Sequence, residues 1–245
     1  MEEHKPFHTE EQRFLQGPHS RQSEFVFAVK VFFELIKGFR SFHFLGPCAT
    51  VFGSARFKEG HIYYELARSI GAKLSDLGFT VMTGGGPGLM EAANRGAKDV
   101  NGKSVGCNIV LPAEQHQNKY LDKWVIMNYF FIRKVLLSKY SYAFVVLPGG
   151  YGTLDEFFEA LTLIQTDKIK HFPVVLIGTE YHQKLHDHIK HLAVMETIAP
   201  IDISLFLFTD NIEEAIAHIE KHAVQQFKLK TKKVHKPFSW LGERK

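Results

Sequence analysis

Only two of the 245 residues are cysteine, Cys48 and Cys107. Two thiols cannot build a disulfide framework, and alone they do not complete a zinc site. Long uncharged apolar runs are also missing. The most apolar early stretch, Phe25 to Phe39, is broken by Lys30, Glu34 and Lys37, which excludes a membrane span there. The chain opens Met1-Glu2-Glu3-His4-Lys5, polar and partly acidic, unlike a signal peptide. The expected compartment is the cytoplasm. Charge of one sign is scarce: the formal net charge is +4, with 14 His in reserve. That suits an anionic ligand without calling for nucleic acid. Two phosphate-loop patterns are absent as well. G-x-x-x-x-G-K-[ST] occurs nowhere, and G-x-G-x-x-G fails because its last position is Leu89 counted from Gly84 and Glu91 counted from Gly86. A nucleoside triphosphatase and a dinucleotide dehydrogenase therefore have no sequence support.

What is present is enough hydrophobic sequence, 45% of the chain, for one large α/β domain or at most two small ones. After a polar start, the stretch Phe25 to Phe39 reads as an amphipathic helix with Lys30, Glu34 and Lys37 on one polar stripe. It is expected to dock on the domain or on a second subunit. From Ala49 onward, apolar runs ending in small residues alternate with helical runs. The runs Ala49–Arg56, Phe79–Gly88, Ser104–Pro112, Trp124–Phe130, Tyr142–Gly150, Phe172–Gly178 and Ser204–Asp210 give about seven strands and their turns. The intervening helices are roughly His61–Leu77, Leu89–Lys98, Ile132–Tyr140 and Leu154–Gln165, with a last one from Ile212 to about Val224. Near-continuous apolar strands between helices predict a doubly wound parallel sheet with helices on both faces, an α/β fold. The organisation expected is an N-terminal segment and helix over 1–45, the α/β domain over 46–225 and a basic tail over 226–245. The tail, with Phe238 and Trp240, reads first as solvated or packed in an oligomer rather than as a nucleic-acid patch.

Ligands on such sheets bind at the carboxyl ends of the strands. Three glycine-rich loops fall there: Gly53-Ser54, Gly84-Gly85-Gly86-Pro87-Gly88, and Pro148-Gly149-Gly150-Tyr151-Gly152-Thr153. Bare N–H groups at a helix N-terminus hold phosphate or carboxylate, since donors and dipole point the same way. Gly149, Gly150, Gly152 and the Thr153 hydroxyl supply one such set, and Gly84, Gly85 and Gly86 a second. For one loop alone, tight turns would be the simpler reading; two on one edge favour an anion, and a monophosphate is the natural one. Thr153-Leu154-Asp155-Glu156 fits a capping box, so on spacing alone Glu156 reads first as a cap, though it also falls beside any phosphate ligand. Arg133 and Lys134 stand one turn into a helix, where Arg133 could clamp an anion and surface charge is the plainer alternative. Glu91 could favour its helix N-terminus. His182, His186, His188 and His191 cluster, but Gln183-Lys184-Leu185 lacks the Glu of H-E-x-x-H, so a solvated helix face is expected and no metal.

Taken together, three of these stretches resemble one family. "PGGYGTLDE" is similar to the P-G-G-x-G-T-x-x-E motif of the LOG family, the cytokinin riboside 5′-monophosphate phosphoribohydrolases. "TGGGPGLMEAANRGA" resembles that family's second signature, and Arg133-Lys134 its Arg-Lys pair. The resemblance spans roughly Ala49 to Val224. It implies a modified Rossmann fold, a homodimer or larger assembly, no cofactor, and hydrolysis of a nucleoside 5′-monophosphate such as AMP to free base and ribose 5-phosphate. It implies Glu156 and Arg133 as catalytic residues. It implies a pocket of Ser54, Gly84, Gly85, Gly86, Gly149, Gly150, Gly152 and Thr153, with Glu91 and Lys134 beside it. An older label for such proteins, lysine decarboxylase, finds no Schiff-base lysine context in this chain. The alternative is a carrier or sensor of nucleotide or molybdenum cofactor on the same fold; a carrier has no need of both Glu156 and Arg133.

Overall fold

The computed structural model describes residues 9–111, 116–170 and 172–225. The basic tail from Phe227 and the end of the predicted third strand at Pro112 lie outside them. The strands are β1 (Cys48–Phe52), β2 (Thr80–Thr83), β3 (Ser104–Ile109), β4 (Lys123–Met127), β5 (Ser141–Val146), β6 (Val174–Leu176) and β7 (Leu207–Phe208). All pair in parallel, in the order β4-β3-β2-β1-β5-β6-β7. This is the doubly wound sheet the alternation predicted. The order reverses between β1 and β5, so the turns after these two strands diverge and leave a crevice. The seventh strand is much shorter than Ser204–Asp210, because Pro200–Leu205 coils into a 3-10 helix. Pro200 starts that coil, and the Asp202 carboxylate accepts the Ala199 N–H at 2.9 Å.

The helices are α1 (Glu10–Phe14), α2 (Arg21–Phe42), α3 (Ile62–Asp76), α4 (Leu89–Asp99), α5 (Phe130–Tyr140), α6 (Tyr151–Gln165), α7 (Thr179–Val194) and α8 (Ile212–Ile219). Alternate strand residues feed two cores. Ala49, Val51, Val81, Val145 and Val175 pack with α3, α4 and α8. Phe52, Met82, Cys107, Phe144 and Leu176 pack with α2, α5, α6 and α7. Both cysteines are free and buried, and burial pushes each thiol up to about 12, so neither is a thiolate at neutral pH. Among the described residues no helix is long and apolar enough to cross a membrane.

α2 docks on the domain through Phe27, Val31, Leu35, Phe39 and Phe42, and of its polar stripe Glu34 is buried while Lys30 and Lys37 stay exposed. Glu34 is buried, and its carboxylate accepts the Asn128 N–H and, at 3.0 Å, the Asn128 side-chain amide. Lys37 donates to the Ile126 carbonyl at 2.8 Å, and Lys30 pairs with Glu10 at 2.5 Å. The physical reason lies in β4, an edge strand whose last peptide groups need partners. Glu34 and Lys37 supply them.

α3 and α4 cross where Gly71 faces Ala93 and Gly96 faces Arg68, backbone against backbone. A methyl group at Gly96 would collide with the Arg68 carbonyl, so this glycine of the second signature serves helix packing rather than ligand binding. Gly96→Ala is therefore expected to cost about 1–3 kcal/mol of stability or more. A thermal melt reads it, and an unchanged midpoint would contradict the close-packing account.

Candidate active site

The three glycine loops meet at the switch point, and backbone hydrogen bonds join them. The Ser54 N–H donates to the Pro148 carbonyl at 3.0 Å, and the Leu89 N–H donates to the Ser54 carbonyl at 3.0 Å. Between them lies a cleft of about 290 Å³. That is at the small end of ligand pockets. Ser54, Gly84, Arg133, Gly150, Gly152 and Thr153 line it, as do Arg56, Phe52 and Met90.

The loop after β5 leads into a helix whose start no side chain caps. α6 begins at Tyr151 with Gly150 as its N-cap and no side-chain cap, so Glu156 does not cap it and the capping-box reading fails. The helix starts two residues before Thr153, which places Glu156 in its second turn. Its first-turn N–H groups are the ones a helix leaves unmatched, and no acidic side chain offsets the dipole there. No heavy atom lies within 4 Å of where a Cβ would stand on Gly150 or Gly152, so the backbone is bare toward the cleft. Gly149 faces the Thr153 hydroxyl so closely that a side chain would not fit. From behind, the Tyr181 hydroxyl donates to the Gly149 carbonyl at 3.0 Å.

The second glycine loop plays a different part. Gly84 lies beneath the Arg133 guanidinium: a Cβ there would stand 3.3 Å from its Nη2. Gly85 spends its N–H on the Thr83 hydroxyl at 2.9 Å, and Asn118 holds the Gly85 and Gly86 carbonyls at 3.0 and 3.1 Å. Asn94 accepts from Thr83 and Asn118 at 2.6 and 3.0 Å, completing a buried network. Gly84 thus reaches the cleft, while Gly85 and Gly86 shape its wall without lining it.

Glu156 is 3% exposed, with its Oε1 3.6 Å from Arg133 Nη1. Arg133 is itself anchored by its Nε–H to the Cys107 carbonyl at 3.0 Å. Burial raises the Glu156 carboxyl to about 7, against the pull of Arg133. The carboxylate stands behind the guanidinium, and the ion pair is longer than a hydrogen bond, so a ligand could part it. Lys134 is turned away: it bridges Asp155 at 3.0 Å and Glu159 at 2.7 Å. Burial works against its charge, yet the bonds to Glu159 and Asp155 prevail and hold its pKa above the usual lysine value. A firmly protonated lysine is a poor Schiff-base nucleophile. Glu91 accepts the Tyr64 hydroxyl at 3.3 Å and is not among the residues lining the cleft.

The histidine cluster is only partly solvated. His182 is buried, its imidazole pushed down by burial against a hydrogen bond to the Leu147 backbone, just past the end of β5. His186 packs on the Phe208 ring at 4.3 Å. Among the described residues no group of three or more His, Cys, Asp or Glu could hold a metal ion. Arg56 was overlooked in sequence although it directly follows the first glycine-serine turn, a placement that could have marked it. Asn118 carried no such signal, because only the fold brings it to the second loop.

A family model described as "Possible lysine decarboxylase" matches residues 90–219. The chain is 33% identical over 175 residues to a cytokinin riboside 5′-monophosphate phosphoribohydrolase of Rhodococcoides fascians, covering 69% of this chain and 87% of that one. It is 30% identical over 161 residues to the protein of the same name from Mycobacterium tuberculosis, covering 62% and 82%. Among solved structures, a molybdenum cofactor binding protein from Rippkaea orientalis superposes with a TM-score of 0.53 at 22% identity, covering 72% of this chain and 96% of that one, a likeness of fold.

The raised Glu156 carboxyl makes a linkage prediction. Its folded value near 7 lies above the unfolded value of 4.5, so its contribution to stability is fully present below 4.5 and is lost as pH rises through 7. Between pH 4.5 and 8, melting of Glu156→Gln should shift in the variant's favour relative to wild type, by on the order of 2 kcal/mol. A pH-independent difference would contradict the buried carboxylate.

Proposed function

The chain belongs to the LOG family of nucleotide phosphoribohydrolases, and on that footing we propose that it hydrolyses the N-glycosidic bond of a nucleoside 5′-monophosphate, AMP first among them. The observation that carries the reading is a bare helix N-terminus and Arg133 lining one cleft, with the buried Glu156, itself outside the lining, 3.6 Å from the Arg133 guanidinium. The 5′-phosphate rests on the N–H groups of Gly150, Tyr151 and Gly152 and on the Thr153 hydroxyl. Ser54 and the Gly84–Gly86 wall enclose the nucleoside, and Arg56 adds positive charge at the rim. Cytokinin riboside 5′-monophosphates present the same phosphate and ribose.

When the ribose enters, Arg133 turns toward the leaving base and uncovers Glu156. Cleavage leaves the bonding electrons on the base and builds positive charge at the sugar's anomeric carbon. The ionised Glu156 stabilises that charge and takes a proton from the attacking water, whose oxygen bonds to the carbon. The base gains a proton, giving adenine and ribose 5-phosphate. A carboxyl near 7 can accept the proton and release it again at neutral pH. The active unit is proposed to be a homodimer or larger assembly in the cytoplasm, working without cofactor, membrane or nucleic acid.

Incubation of the purified protein with AMP tests this. Adenine and ribose 5-phosphate should appear, while Glu156→Gln keeps AMP binding within a few-fold and loses at least ~100-fold in turnover. AMP bound intact by both proteins would favour the carrier alternative. The pH dependence sharpens the test. Wild-type kcat/KM should rise through an inflection near 7 as Glu156 ionises. In Arg133→Ala the residual activity should show its inflection at higher pH, because Arg133 is what pulls the carboxyl down.

A further inference from the structure

α2 is apolar on two sides. Its inward side packs Phe27, Val31, Leu35, Phe39 and Phe42 into the core. Its outward side leaves Phe25 71%, Val26 48%, Val29 38%, Phe32 58%, Phe33 65% and Ile36 38% exposed. Phe25, Val29, Phe32 and Ile36 are spaced four, three and four residues apart, the spacing of a seam that meets another helix. A helix that is apolar all round belongs in a buried position.

Area decides between scattered surface residues and an interface. At roughly 150–200 Å² per large side chain, these six expose on the order of 600 Å². That reaches the limit of the largest patches on monomeric proteins. The patch also has a neighbour. On the inward side Phe27 meets Tyr129 at 5.1 Å and Tyr129 stacks on Phe131 at 5.6 Å, which sets the start of α5 against α2 and adds the exposed surface of Phe130 and Phe131, 43% and 42%. Together they approach the ~800 Å² that one partner contributes to a standard interface.

We infer that the outward face of α2 is a contact surface for a second copy of this chain, with the two α2 helices antiparallel about a two-fold axis near Phe32 and Phe33. The pattern is self-complementary about that point, as an isologous contact requires. The axis sets Phe32 against Phe33 and Val29 against Ile36. The inward side of the same helix holds Asn128 through Glu34, just before the α5 helix that carries Arg133. This surface specifies where the proposed assembly forms and rests on that assembly reading, not on the reaction in the cleft.

Sedimentation equilibrium of the full chain tests it, with Phe32→Glu and Phe33→Glu combined in one variant. The wild type should be an oligomer, and the variant should have half its mass while keeping the wild-type circular dichroism spectrum, since both side chains point away from the core and only the mass-action stabilisation by association is lost. Val194→Lys, at an exposed position on α7, should keep the wild-type mass. A monomeric wild type would overturn the assembly reading and this surface together. An oligomeric wild type whose mass the double variant leaves unchanged would overturn the surface alone, as would an equal loss of mass in Val194→Lys. Hydrogen exchange covers the remaining rival. Protection of α2 in a chain of monomer mass, lost on deleting residues 226–245, would assign the face to the basic tail and refute the proposal.

Discussion

One peptide holds the cleft together. Ser54 donates its N–H to the loop after β5 and offers its carbonyl to the first residue of α4. Without those two bonds the glycine loops would be three separate turns. With them, the loops form one wall at the point where the strand order reverses. The constraint explains the residues around it. Gly88 carries a φ of 71° and lies so close to the Ser54 carbonyl that a side chain would push the loops apart. Asn118 and Asn94 serve the same end from the other side, fixing the second loop through its carbonyls and leaving the loop after β5 to present its donors.

The charged pair depends on this frame. Arg133 reaches the cleft because α5 starts where Glu34 of α2 has already bound Asn128, and because Gly84 leaves room beneath the guanidinium. Glu156 is kept behind it, buried enough to titrate near neutrality and close enough to Arg133 not to be fully protonated. Burial and attraction oppose each other here, and burial wins. A surface carboxylate would ionise far below neutral pH and could not exchange protons readily during turnover. The same reasoning separates Lys134 from Arg133, although the two are adjacent in sequence. Two carboxylates hold Lys134 against α6, so it braces the helix pair, while Arg133 lines the cleft.

Much of this was legible in the sequence because strand and loop signals are local. Apolar runs that end in glycine marked the sheet and its ligand edge, and the parallel order followed from the alternation of strands and helices. That Gly84, Gly150, Gly152 and Thr153 line one cleft followed from glycine-rich loops at the carboxyl ends of neighbouring strands. What was not legible depended on distant partners. The helix start at Tyr151 moved Glu156 out of the capping position, and spacing alone could not show it. His182 looked solvated because its neighbours in sequence are polar; the fold buries it and gives it a hydrogen bond to the Leu147 backbone. The stripe of Lys30, Glu34 and Lys37 was legible as one polar stripe on a docking helix, but not that two of the three answer the open peptide groups at the edge of β4. Helical periodicity identifies faces, and it cannot say which face meets the domain when both are able to.

The claim on which the account rests is that the bare loop after β5 holds a 5′-phosphate. The most direct measurement compares kcat/KM for AMP with that for adenosine, the same sugar and base without the phosphate. The account predicts that adenosine is worse by at least ~10³-fold, since the donors at the start of α6 would be left unmatched beside a substrate with no anion. Comparable values for the two would contradict it.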